Sequence, residues 1–151
     1  MRRKSRRYLV AAACLLAVSA AAVGIALASS SATPPPDWLR QVSANVASEN
    51  GDSSPTSLQF ALTTAQDAAP LVGLSATDPS VQSDPGRQEY VVVMTGQFEA
   101  VNAFGPGAPP PKGTTVVITV DPVSHTILDF GITPAAVDTA SVGGLTPFTL
   151  Q

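Results

Sequence analysis

Five of the chain's eight basic residues lie between Met1 and Arg7, and from Leu9 to Ala28 no charged side chain interrupts a run rich in Ala, Leu and Val. A cationic start followed by an uncharged apolar stretch is a targeting signature, so this part of the chain is not available for building a water-soluble core. About twenty residues at roughly 1.5 Å rise each reach across a hydrocarbon layer of about 30 Å, which is long enough for a spanning helix. Ala26, Leu27 and Ala28 also place small residues where a signal peptidase selects them, and Ser29 onward is polar. The sequence supports both a retained anchor through residues 9–28 and cleavage near Ala28. The topology is the same in each case: the positive-inside bias holds Arg2 to Arg7 in the cytoplasm and sends the residues after Ala28 across the membrane.

Two refinements of that segment turn on particular residues. Ser5 to Val10, with Arg6 and Arg7, resembles the twin-arginine export motif, although an ordinary positive leader is the simpler reading. Lipid attachment at Cys14 is disfavoured, because Ala11 stands where a leucine is normally found and Cys14 lies in the middle of the apolar run. Cys14 is the only cysteine, so the exported part has no internal disulfide and depends on a packed core for stability.

Of 151 residues, those beyond the leader are enough for one domain of ordinary size. They carry three basic residues (Arg40, Arg87, Lys112) and all eleven acidic ones; three minus eleven gives a formal charge of −8. That balance disfavours nucleic acid and anionic lipid as partners of the domain surface. The expected organisation is a signal peptide or signal anchor at 1–28, a Pro-rich spacer at 29–36, and an extracytoplasmic domain at 37–151. Pro34-Pro35-Pro36 favours a stiff, extended spacer.

Asp37 suits a helix N-cap, and Trp38, Leu39, Val42 and Val46 fall on one side of a helix expected from about Trp38 to Asn50. Leu58, Phe60 and Leu62 alternate with Gln59, Ala61 and Thr63, the period of a strand with one buried face. A single helical turn is expected over 64–69, stopped by Pro70. Asp78-Pro79 and Asp84-Pro85-Gly86 mark 75–88 as an exposed loop. Tyr90-Val91-Val92-Val93-Met94 is a continuous, largely β-branched run, as expected of a central strand covered on both faces. Gly105 to Gly113 reads as an irregular connection. Two further strands are expected at 115–121 and 126–132, their inward sets being Val116/Ile118/Val120 and Leu128/Phe130/Ile132. Pro122 to His125 forms the hairpin between them. Its last position commonly needs positive φ, which histidine tolerates better than most residues, so the chain's only His is read as a turn residue rather than a catalytic one. A short helix over 137–144 and an edge segment at Pro147–Leu150 complete the expected elements.

Chemistry-bearing patterns are sparse. A hydrolytic triad requires a histidine beside a nucleophile, and there is no Gly-x-Ser-x-Gly turn. Zinc-type His/Cys clusters and calcium-loop spacings do not occur. Asp78, Asp84 and Glu89 match no cation loop, and Asp121, Asp129 and Glu99 could serve glycoside chemistry only if the fold brought them together. The Pro/Gly stretch at 105–111 lacks the form of a phosphate loop and reads as surface, with peptide presentation as its functional alternative. Trp38 reads as core packing rather than a ligand anchor. No catalytic, cofactor-binding or metal-ligating residue is assigned.

The hairpin sequence Thr115-Val-Val-Ile-Thr-Val-Asp121 and then Ser124-His-Thr-Ile-Leu-Asp-Phe-Gly131 resembles the strand-turn-strand of PepSY-like extracytoplasmic domains, which usually carry glycine where His125 stands. From about Trp38 to Leu150 the chain is similar to small exported or membrane-anchored proteins of high-GC Gram-positive bacteria, through Pro55-Thr56, Leu62-Thr63-Thr64, Tyr90 to Phe98, Pro111-Lys112-Gly113 and Asp129-Phe130-Gly131. The resemblance implies location and fold, with no activity attached.

These readings give an α+β fold in which one N-terminal helix packs on a mostly antiparallel sheet of about four strands. Trp38, Val42, Val46, Leu58, Phe60, Leu62, Val92, Ile118, Leu128 and Phe130 are its expected core. The expected role is a non-enzymatic binding or regulatory module with an envelope protein or peptide as partner. An envelope enzyme using assembled carboxylates and a carrier of a small apolar ligand are the alternatives.

Overall fold

The computed structural model describes residues 33–100 and 109–150. The expected leader at 1–28, including Ser5–Val10 and Cys14, lies outside the described residues, as do 29–32 of the spacer and 105–108 of the Pro/Gly connection. Among the described residues no helix is long and apolar enough to cross a membrane.

Asp37–Glu49 forms α1, and the sheet is built from β1 (Ser57–Thr64), β2 (Gln88–Glu99), β3 (Lys112–Val120), β4 (Ile127–Thr133) and β5 (Thr146–Phe148). The strands lie in the order β4-β3-β2-β1-β5, with every neighbouring pair antiparallel. The architecture is therefore α+β as expected, with five strands rather than about four. The extra strand is the edge segment around Phe148, which pairs with Leu58.

Alternation along β2 explains the two layers. Val92, Met94 and Phe98 join Leu58, Phe60, Val116, Ile118 and Val120 beneath Leu39, Val46 and Ala47 of α1. Val91 and Val93 point the other way and pack with Val117, Ala68, Leu71 and Val142. The second layer is made of short pieces: α2 (Ala65–Ala68), a 3₁₀ turn at Ala69–Val72 and another at Ala140–Val142. It explains why the 90–94 run has no polar alternation: both faces are roofed.

Helix α1 starts one residue earlier than the periodicity suggests. Pro36 takes the N-cap position without a side-chain bond, and Asp37 sits in the first turn, where its charge complements the helix dipole. The helix ends in a Schellman motif: the Gly51 N–H donates to the Ser48 carbonyl, the Asp52 N–H donates to the Ala47 carbonyl, and Gly51 has φ +86°. Buried Ser43 stays satisfied by donating its hydroxyl to the Leu39 carbonyl at 2.8 Å.

Several expectations are corrected. The helical turn at 65–68 runs through Pro70 as 3₁₀ and stops at Gly73, because proline is tolerated in a first turn. The 75–88 loop contains a helical turn, α3 (Pro79–Gln82), capped by Asp78 through the Ser80 N–H. β3 begins at Lys112, so Lys112 and Gly113 are strand rather than loop. Only one 3₁₀ turn forms within 137–144.

The expected core is right at Val46, Leu58, Phe60, Val92 and Ile118, while Trp38 and Val42 pack at its margin. Leu62 and Phe130 are not core: they remain 52% and 39% exposed. The helix-facing cluster draws its buried residues from β1, β2, β3 and β5, and β4 adds only partly buried Ile132. Leu128 is half-buried because the β3–β4 register shifts between Thr119 and Val120, pairing Val120 with Ile127 and Thr119 with Asp129. The extra residue re-phases the strand and puts Ile127 on the helix side in place of Leu128.

Gly113 is required by close approach. A methyl group there would lie 2.5 Å from the Thr133 carbonyl oxygen and 2.8 Å from its carbon. Gly113→Ala is expected to destabilise the fold by about 1–3 kcal/mol, the cost of overpacking against backbone. Gly86→Ala, with nothing within 4 Å, should stay within about 0.5 kcal/mol, both read by urea unfolding.

Candidate functional site: the groove between helix and edge strand

The β3–β4 hairpin is locked by its first residue. Asp121 accepts the N–H groups of Val123 and Ser124 at 2.8 and 2.7 Å on one carboxylate oxygen, and its carbonyl accepts the His125 N–H at 2.9 Å. The N–H groups of Ser124 and Val123 hold the Asp121 carboxyl below its ordinary value. His125 closes the turn at φ +60°, as the turn reading of this residue requires.

That strained backbone aims the imidazole at α1. His125 stacks on Trp38 with ring centroids 4.0 Å apart and planes 12° from parallel. Trp38 in turn meets Tyr90 edge-on at 5.5 Å, Tyr90 lies 6.2 Å from Phe60, and Phe60 meets Phe148 edge-on at 5.7 Å. Arg40 closes the series, its guanidinium 5.9 Å from the Phe148 ring and its Nη1 donating to the Thr149 carbonyl at 2.7 Å. Each aromatic pair adds about 0.5–1.5 kcal/mol beyond its buried area. The series links the hairpin through α1 and the sheet to the C-terminal edge strand.

Between α1 and the start of β4 a groove of about 310 Å³ remains open, lined by Val42, Asn45, Val46, Glu49, His125, Thr126 and Ile127. Its walls are aliphatic and its rim is polar. Ile127 is half-exposed there, and Phe130 further along β4 shares the helix-side face, since it pairs with Ile118. The groove exists because α1 does not reach over β4.

The carboxylates considered for chemistry do not converge. Glu99 pairs with Lys112 at 2.9 Å at one end of β3, whereas Asp121 lies just past its other end, about 30 Å away along an extended strand. Asp129 lies beside Thr119, and Asp78 caps α3. Glu89 is the one buried acid among the described residues, with a side chain 3% exposed. Its Oε1 accepts both Nε and Nη2 of Arg87, at 3.1 and 2.6 Å, and the hydrogen bond with Glu89 raises the Arg87 pKa despite partial burial. This pair staples the start of β2 and satisfies the buried Glu89. Among the described residues no cluster of His, Cys, Asp or Glu could hold a metal ion. The helix–sheet interface is filled by Leu39, Ala47, Met94 and Val116, so an apolar ligand would have to bind at the surface.

Sequence reasoning misses the groove. Spacing puts Val42 in the core and leaves Ile127 in neither inward set; the signal that could reveal the groove is the mismatch between a helix with one narrow apolar stripe and a sheet of five strands. No family model, curated protein or solved structure matches the chain.

Two outcomes test this geometry. His125→Gly should keep the hairpin, with stability within about 1 kcal/mol, while altering the emission of the sole tryptophan, Trp38; His125→Val should cost about 1–3 kcal/mol, because a β-branched residue resists positive φ. Acid titration tests Asp121. Its folded carboxyl releases its proton more readily than the ordinary value of 3.8, so the turn's contribution is complete above that range and fades as pH falls through the lower folded value. Asp121→Asn should remove that part of the acid sensitivity.

Proposed function

We propose that the chain is an extracytoplasmic binding or regulatory module, without catalytic activity, that uses the α1–β4 groove as its contact surface for an envelope protein or peptide. The observation that carries this reading is a groove with half-buried Val42 and half-exposed Ile127 in its walls and Asn45, Glu49 and Thr126 at its rim, with exposed Phe130 further along the same face of β4. Convergent apolar walls with a few polar groups at the margin are what a peptide-sized segment needs for affinity and orientation. The basic and apolar N-terminal sequence supports placement outside the cytoplasmic membrane, tethered through residues 9–28 or released by cleavage near Ala28. The PepSY-like hairpin resemblance fits the same placement.

The alternatives gain less support. Carboxylate catalysis needs two acids facing one reacting centre, and Glu99, Asp121 and Asp129 occupy separate positions. A small-ligand carrier needs an interior, and the interior is packed.

The test is photo-crosslinking of the full chain in intact cells. A probe at Asn45, on the groove rim, should yield a discrete adduct with an envelope component, and a probe at Ser80, on α3, should not. Equal adducts at both positions, or the unprocessed chain recovered dissolved in the cytosol, would overturn the reading.

A further inference from the structure

The two edges of the sheet are finished differently. β5 is three residues long and has Pro147 at its centre, and a short edge strand with proline is a standard way to block further pairing. β4 is seven residues long, Ile-Leu-Asp-Phe-Gly-Ile-Thr, with no proline, no lysine and one charged side chain, and among the described residues no strand pairs with its outer side.

The ladder determines which backbone groups β4 leaves free. The Asp121 N–H donates to the Thr126 carbonyl, and the Ala65 N–H on β1's far end donates to the Arg87 carbonyl. Carried along the strands by alternation, both bonds direct the odd-numbered groups of β3 toward β4, so Asp129, Gly131 and Thr133 bond inward. The N–H and C=O groups of Leu128, Phe130 and Ile132 point outward. This set is symmetric about Phe130.

We propose that β4 pairs with β4 of a second copy of this chain, antiparallel about a two-fold axis through Phe130, making one continuous sheet from the two domains. The pairing sets Phe130 opposite Phe130, Leu128 opposite Ile132 and Asp129 opposite Gly131. Apolar groups meet apolar groups, and the single acid of the strand faces a residue with no side chain. Shifting the axis to Asp129 would still use the outward groups of Leu128 and Phe130, but would set two carboxylates directly opposite each other in the closely spaced non-hydrogen-bonded pair, so the sequence disfavours the nearest alternative. About six interchain N–H to C=O bonds form in the Phe130-centred register. An axis perpendicular to the sheet keeps both α1 helices on one side. The two grooves then open onto a shared trough whose floor carries Ile127 and Phe130 of both copies.

This inference goes beyond the binding reading and does not depend on it: the ladder is the same whatever the trough receives. The contact is at the small end for a specific interface, so trapping suits it better than a hydrodynamic size. In the full chain carrying Cys14→Ser, Phe130→Cys should be cross-linked as a covalent dimer by mild oxidation in intact cells. Directly opposed residues have Cα atoms about 5.5 Å apart, within the range of about 4.4–6.8 Å that a disulfide bridges. Leu128→Cys alone should give none, because the two copies of position 128 lie about four residues out of register. Leu128→Cys with Ile132→Cys, which retains Phe130, should restore the dimer. Absence of dimer from both Phe130→Cys and the double variant, or equal dimer from Leu128→Cys alone, would overturn the proposal. Recovery of the dimer with no third component on the Asn45 probe would leave this inference standing and remove the peptide-binding one.

Discussion

Everything in this fold is hung on a strand that is dry on both sides. Val91, Val92 and Met94 are fully buried, and Val93 nearly so, with β1 and β3 bonded along either flank. A strand in that position has no face to give to water, so two roofs are needed, and only one is a regular helix. The other is assembled from turns whose small residues, Ala65, Ala68 and Ala69, let backbone approach the sheet closely. Because α1 is thirteen residues long and narrow in its apolar stripe, it seals the helix side over the central strands only. The groove and the half-open β4 edge are the geometric remainder of that shortage.

The hairpin uses its strain to reduce the remainder. A glycine at position 125 would meet the turn's positive φ without cost, but would leave the start of α1 and the end of the sheet without a bridge. Histidine accepts the conformation and contributes a flat ring at stacking distance from Trp38. Asp121, by fixing two N–H groups ahead of it, holds that ring in place without burial. Backbone strain and aromatic contact are thus traded at a single residue.

Much of this was legible in the sequence where period and chemistry agree. The alternation of Leu58 and Phe60, the unbroken 90–94 run and the Pro122–His125 turn all specify one answer each, and the structure has it. Leu62 and Phe130 failed for a different reason: alternation says which face a residue takes, and only the span of the opposing helix says whether that face is covered. Leu128 failed because a bulge re-phases the strand, and nothing local to Thr126–Leu128 announces an extra residue. The turns of the second roof are expected at 64–69 and 137–144, but single turns are too short to show a period that would say which face of the sheet they cover. The Arg87–Glu89 pair was equally silent, since a carboxylate flanking a strand reads as solvated until the layer above it is known.

The charge balance connects the groove with the edge. All three basic side chains among the described residues have internal partners: Arg40 at the Thr149 carbonyl, Arg87 at Glu89 and Lys112 at Glu99. The field that reaches solvent is therefore carried mainly by carboxylates, Glu49 on the groove rim among them. Two copies repel at long range, yet at physiological salt that repulsion decays within about 8 Å, whereas β-pairing acts at contact. What decides self-association is the charge on the contacting strand itself, and β4 has one acid placed against a glycine. Under the proposed reading the same negative rim favours a neutral or cationic segment over an acidic one, so the proposed strand pairing and the proposed peptide contact select by different physics on adjoining surfaces.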